Sequence, residues 1–197
     1  MARALPRYRL TRRGALPGLA VSLDEAVLHL RLPPGSETGP EAPLIERLIR
    51  AATATLENHA DLSVLEQDWT MRLAALPNAG ASIVLPRPPL IAVDSLSVAG
   101  DALDPDDYRV ELDDRMAGTL WPSGYWPTHM IEVNAISIDF SAGWPLADIP
   151  APIAQAILLA VASWYENRES LSQWTLYPMI EIGWEPLLAP YRSQGFA

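Results

Sequence analysis

A chain of 197 residues with 49% hydrophobic content is long enough for one ordinary domain, or a domain with an insertion, and carries the apolar mass for a sizeable core. It has no cysteine, and all 14 basic residues are arginine. This excludes disulfides, thiolate metal sites, a cysteine nucleophile, a Walker-type phosphate loop, a Schiff-base lysine and a Ser-x-x-Lys hydrolase. The formal net charge of −10 argues against general nucleic-acid binding.

That charge is unevenly placed. Residues 1–31 hold six arginines against Asp24 and Glu25, a balance of +4, and the remainder holds eight arginines against 22 acids, a balance of −14. Residues 1–20 read as a basic N-terminal arm carrying Arg3, Arg7, Arg9, Arg12 and Arg13. Such an arm is either a solvated terminus or a device for binding an acidic surface such as a neighbouring copy. It lacks the apolar core of about 7–15 residues that a signal peptide needs, and no membrane span appears elsewhere, so a soluble protein made in the cytoplasm is expected.

The first helix is expected at 22–32, where Ser22 and Glu25 stand in capping-box spacing and Leu23, Ala26, Val27 and Leu30 share a face. PPGSETGPEAP (33–43) is a loop. A second helix over 42–59 follows from Leu44, Ile45, Leu48, Ile49, Ala52 and Leu56 at helical spacing. The period then becomes two, in QDWTMRL, Ser82–Leu85, Ile91–Val98, Tyr108–Leu112, Thr119–Trp121 and Ile131–Phe140, with turn chemistry between. Five or six short strands over about 64–141 thus lie between helical segments, and 19 prolines favour such short elements.

A third helix over 152–168 opens on Pro150 and Pro152, where a missing N–H costs little. Only Gln155 is polar from Ile153 to Ala162. A helix without a polar face must be covered on every side, and ten residues fall short of the roughly 20 that span a bilayer. Its Ile153, Ile157, Leu158, Leu159, Val161 and Trp164 are therefore expected in the core and in a subunit interface, with burial reaching beyond one subunit. Residues 170–197 form a tail with Trp174, Tyr177, Trp184, Tyr191 and Phe196, aromatics that need a surface to lie on.

Four constellations bear on chemistry. Asp101, Asp104, Asp106 and Asp107 crowd one turn, but the spacing is not that of a calcium loop, and aspartate favours turns for backbone reasons. His29, His59 and His129 show no metal-ligand spacing. Glu166 and Glu169 read as a charged helix end sooner than an acid–base pair. Seven tryptophans, three of them (Trp121, Trp126, Trp144) beside proline, fit either a sugar-stacking platform or protein interfaces and core. No catalytic set and no cofactor site emerges.

Certain strings are more specific. VSLDEAVLHLRL (21–32), LIERLIRAATATLENHADLSVLEQDWTMRL (44–73), LPRPPL (85–90), FSAGWP (140–145), IPAPIAQAILLAVASWYENRE (149–169) and LLAPYR (187–192) occur in this order over some 170 residues. Together they resemble the head–tail connector (adaptor) family of long-tailed bacteriophages and gene transfer agents; Ser172–Glu185 departs from that pattern in its Trp and Tyr content. The resemblance implies an α+β fold: a helical bundle with a small antiparallel β domain inserted between the second and the last long helix, plus an extended C-terminal tail. It divides the chain into the arm (1–20), a connector domain (21–169) and a docking tail (170–197). It implies a structural, non-enzymatic role in the neck of a particle: a twelvefold ring between portal and stopper or tail-terminator protein, with DNA passing through its lumen. An acidic body suits a channel that lets DNA slide. Trp184, Leu187, Leu188, Tyr191 and Arg192 are the expected portal contacts, being of types that dominate interface energy on a proline-stiffened segment. The competing reading is a Trp-rich carbohydrate-binding or accessory module.

Overall fold

The computed structural model describes residues 8–77, 80–112, 117–127, 136–167 and 183–191. The chain divides into two compact units, one of residues 1–15 and 66–143, the other of residues 16–65 and 144–197.

The second unit is helical. Helix α1 (Leu23–His29) begins at Ser22, whose Oγ accepts from the Glu25 amide at 3.2 Å while the Glu25 carboxylate accepts from the Ser22 amide at 2.9 Å. The capping box thus forms as its spacing predicts. The helix is shorter than expected because Leu30 caps it and Arg31 turns left-handed at φ 55°. Replacing Ser22 by Ala should cost about 1 kcal/mol of stability, read as a lowered denaturation midpoint with unchanged helix content; an unchanged midpoint would show that the cap contributes nothing. Helix α2 (Ala42–Ala60) buries Ile45, Ile49, Ala52, Leu56 and Ala60 along one stripe and ends at Asp61 in the left-handed conformation. Thr53 and Glu57 are buried on that helix too; the Glu57 carboxylate accepts from the Val64 amide at 2.8 Å and so holds the chain as it leaves the helix. Helix α3 (Ala151–Glu166) starts on Pro150 with Pro152 in its first turn, as the sequence leads one to expect. Residues 183–188 form a further helix, α4, continued by a 3-10 turn at Ala189–Tyr191. One core joins them: Val27, Ile45, Ile49, Leu56, Leu62, Leu65, Ile153, Ile157, Val161, Trp184 and Leu188.

The first unit is a β structure with its own core. Its strands are β1 (Tyr8–Arg13), β2 (Gln67–Leu73), β3 (Ile83–Val84), β4 (Leu90–Val98), β5 (Asp101–Ala102), β6 (Tyr108–Glu111), β7 (Thr119–Pro122) and β8 (Ile136–Ala142). They pair antiparallel in a five-stranded sheet of order β1-β2-β8-β4-β5 and a three-stranded sheet of order β3-β7-β6. β8 alternates cleanly, with Ile136, Ile138, Phe140 and Ala142 buried and the residues between them partly exposed. Those side chains pack with Met71, Leu73, Leu85, Leu96 and Leu120.

This corrects the expected architecture. The fold is mixed α/β with four helices among the described residues and two antiparallel sheets, and its β part, though mostly placed between α2 and α3 in sequence, is not a small insertion in a helical bundle. It is a unit of its own with its own core, and its five-stranded sheet is extended by β1, drawn from the N-terminal arm. Period-two patterning did not flag β1 because an edge strand with one partly buried residue, Leu10, leaves arginines free to fill the other positions.

Candidate interaction surfaces

The apolar helix α3 has two fates along its circumference. Ile153, Ala156, Ile157, Ala160 and Val161 are buried within the unit. Leu158 and Trp164 are half-buried, and Leu159 remains 37% exposed. Among the described residues the exposed line of α3 thus runs through Gln155, Leu159 and Glu166, with half-buried Leu158 and Trp164 beside it.

The terminal segment behaves differently from the expectation that all of it faces a partner. Trp184 and Leu188 lie in the helical core. The Trp184 indole stacks on the His59 ring at 5.7 Å between centroids, and His59 Nε2 meets a Glu185 carboxylate oxygen at 3.0 Å. Tyr191 meets Trp144 edge-on at 6.0 Å. Trp184 and Leu188 thus complete the core of their own subunit, and Leu187 and Tyr191 pack against that core while staying half-exposed. Arg192 lies outside the described residues, as do Arg3, Arg7, Trp174, Tyr177 and Phe196.

Arg9, Arg12 and Arg13 sit on β1, all exposed. Arg13 bonds Asp94 at 2.7 Å and lies 4.0 Å from Asp139. Arg9 stands directly opposite Arg72 of β2. Sequence reasoning passed over Arg72, for which only strand register carries a signal.

Among the described residues the tryptophans do not assemble a stacking platform. Trp126 is buried with its indole N–H donated to the Ala81 carbonyl at 2.7 Å, and Trp69 lies under the Arg87 guanidinium. Trp144 packs in the helical unit. Trp121 alone of the three proline-flanked tryptophans is exposed, in an open depression of about 480 Å³ with Arg109, Val110, Glu111 and Pro122, its N–H bonded to Glu111 at 3.1 Å. In the acidic turn, Asp104 caps a 3-10 turn by accepting from the Asp106 amide at 3.0 Å, the backbone role expected of it. The nearby Tyr108 hydroxyl is pushed above its ordinary titration range, first by burial and then by the Asp104 carboxylate. Among the described residues no three His, Asp or Glu side chains converge as metal ligands. His129 and Glu169 lie outside the described residues.

No family model matches the sequence, and no curated protein matches it. Solved structures do. A chain in the neck of an empty gene transfer agent (GTA) particle, computed with C6 symmetry, is 25% identical and superimposes with a TM-score of 0.78 over 96% of this chain and 97% of that one. A chain in the virion of a native GTA particle is also 25% identical, with a TM-score of 0.76 over 95% and 97%. The chain is of the head–tail connector type. A third structure, the neck of a native GTA particle computed with C12 symmetry, shares the fold at 22% identity, a TM-score of 0.73 and coverage of 96% and 97%. The connector resemblance drawn from the sequence strings is thereby upheld, and it places the chain in the neck of a virion-like particle with a structural role. The likeness runs end to end, so it covers both units and not the helical one alone.

Proposed function

We propose that this connector-type protein forms a ring in the particle neck, acting as the adaptor between the portal and a stopper or tail-terminator component, with DNA passing through its centre. The observation that carries the reading is the likeness, over nearly the whole chain, to a chain of a C6-symmetric neck, joined by a largely apolar helix, α3, that leaves Leu159 exposed. An exposed leucine on such a helix suits a contact in a closed ring, where each copy covers the next. The net charge supports the channel: a twelvefold ring of chains at −10 carries about −120 formally, which repels phosphate and lets DNA slide. Half-buried Leu187 and Tyr191 at the end of the described chain suit a contact with the portal.

The test is assembly. Sedimentation velocity of the purified full-length chain, alone and with purified portal, should give a large ring-sized species or a stable portal complex. A chain that stays monomeric at high concentration and also fails to bind portal would overturn the proposal.

A further inference from the structure

The outer face of the five-stranded sheet is polar and ordered in rows set by strand register. In one row Arg13 faces Asp68, and its guanidinium is further matched by Asp94 and Asp139. In the next, Thr11, Thr70, Asp139 and Ser95 stand side by side, with the Thr70 and Ser95 hydroxyls both donating to the Asp139 carboxylate. Arg13, Asp94, Asp139 and the two hydroxyls thus form one local network.

The third row is not balanced. It runs Arg9, Arg72, Ser137, Ser97 across four adjacent strands. It holds two guanidinium groups and two hydroxyls and no carboxylate. Both arginines are exposed, and neither forms an ion pair among the described residues. Like charges directly opposite across a strand pair destabilise a sheet. Arginine on β1 has a ready explanation, since charge on an edge strand deters unwanted pairing. Arg72 has none, because β2 is an interior strand with β1 on one side and β8 on the other. A row with two cations and no carboxylate, kept at a local cost, is an anion-binding arrangement, and guanidinium groups suit carboxylates in particular.

From this row we infer that Arg9 and Arg72 dock an acidic surface of a second copy of this chain. The inference rests on the ring reading above and supplies a contact for it. Charge decides the occupant: residues 32–197 carry eight arginines against 22 acids, so a neighbouring copy offers carboxylates in excess. A nucleic acid fits less well, because a chain at −10 repels a polyanion as a whole.

Two double variants test it in the full-length protein: Arg9→Gln with Arg72→Gln, and Arg9→Glu with Arg72→Glu. Each should keep or raise the thermal midpoint of the subunit, since a repulsive pair is removed or merely inverted. The Gln pair should weaken self-association at least tenfold by sedimentation and flatten its dependence on salt, and the Glu pair should weaken it further. Wild-type assembly with undiminished assembly of both variants would overturn this contact and leave the ring reading standing. A wild type that is monomeric at every salt concentration, with and without portal, would sink the ring reading and this contact together. Loss of duplex-DNA binding, read by fluorescence anisotropy, in variants that assemble normally would assign the row to nucleic acid and overturn the inference. Unfolding of the Gln pair would make the row structural and overturn it as well.

Discussion

Ile157→Asp should unfold the protein, whereas Leu159→Asp should leave the subunit folded and block its assembly. The two residues lie two positions apart on α3, and their side chains meet opposite environments. Ile157 is wholly buried among Ile45, Ile49 and Val161 in the helical core, and Leu159 is 37% exposed. A carboxylate at 157 has no cation in that core to pair with, and an unpaired buried charge costs several kcal/mol, comparable with the entire stability of about 5–15 kcal/mol typical of a domain. At 159 the charge reaches water in the free subunit and costs little there. In the proposed ring a second copy covers that residue, so the penalty should appear as lost assembly. Far-UV and near-UV circular dichroism should show native spectra for Leu159→Asp and a collapsed signal for Ile157→Asp, and sedimentation should show the former as a monomer. A Leu159→Asp protein that assembles fully would remove α3 from the interface.

Trp184→Ala should cost about 3–5 kcal/mol of stability, the range for emptying an aromatic site in a core. The indole fills the helical unit beside Leu188 and stacks on His59, so its removal leaves a cavity and frees the segment that follows. Trp184→Phe should cost much less. The buried indole Nε1 has no hydrogen-bond partner among the described residues, so the smaller ring gives up an unsatisfied donor along with some packing area. Urea denaturation followed by far-UV circular dichroism measures both. Equal and negligible effects would mean that residues 183–191 contribute no core and would return Trp184 to the set of portal contacts. A large effect for Ala with a small one for Phe would confirm that this part of the tail belongs first to its own subunit.

Much of the local structure was legible in the residues. Ser22 and Glu25 specified a helix start, the stripe from Ile45 to Leu56 specified α2, and Pro150 and Pro152 marked the opening of α3, because caps, proline and a 3.6-residue period act within a turn or two. Alternation specified β2 almost to the residue, and β8 within its described part, since one face of each is buried. The ordered strings that resembled head–tail connectors pointed to the neck, which the solved neighbours then supported.

What the sequence alone could not decide depended on pairing partners far along the chain. That the arginine-rich arm closes a sheet followed from β1 finding β2 some sixty residues away, a choice that a single exposed edge strand does not announce. That the strands make a full unit and not a small insertion followed from the same pairing. The division of α3 into a buried and an open face was invisible in a uniformly apolar run, because only neighbouring helices determine which side is covered. Likewise Trp184 and Leu188 looked like contacts for a partner until His59 and the helical core were seen to take them up. Local chemistry set where elements begin and end; the competition among faces for burial, which only the assembled tertiary structure resolves, set which residues remain for a partner.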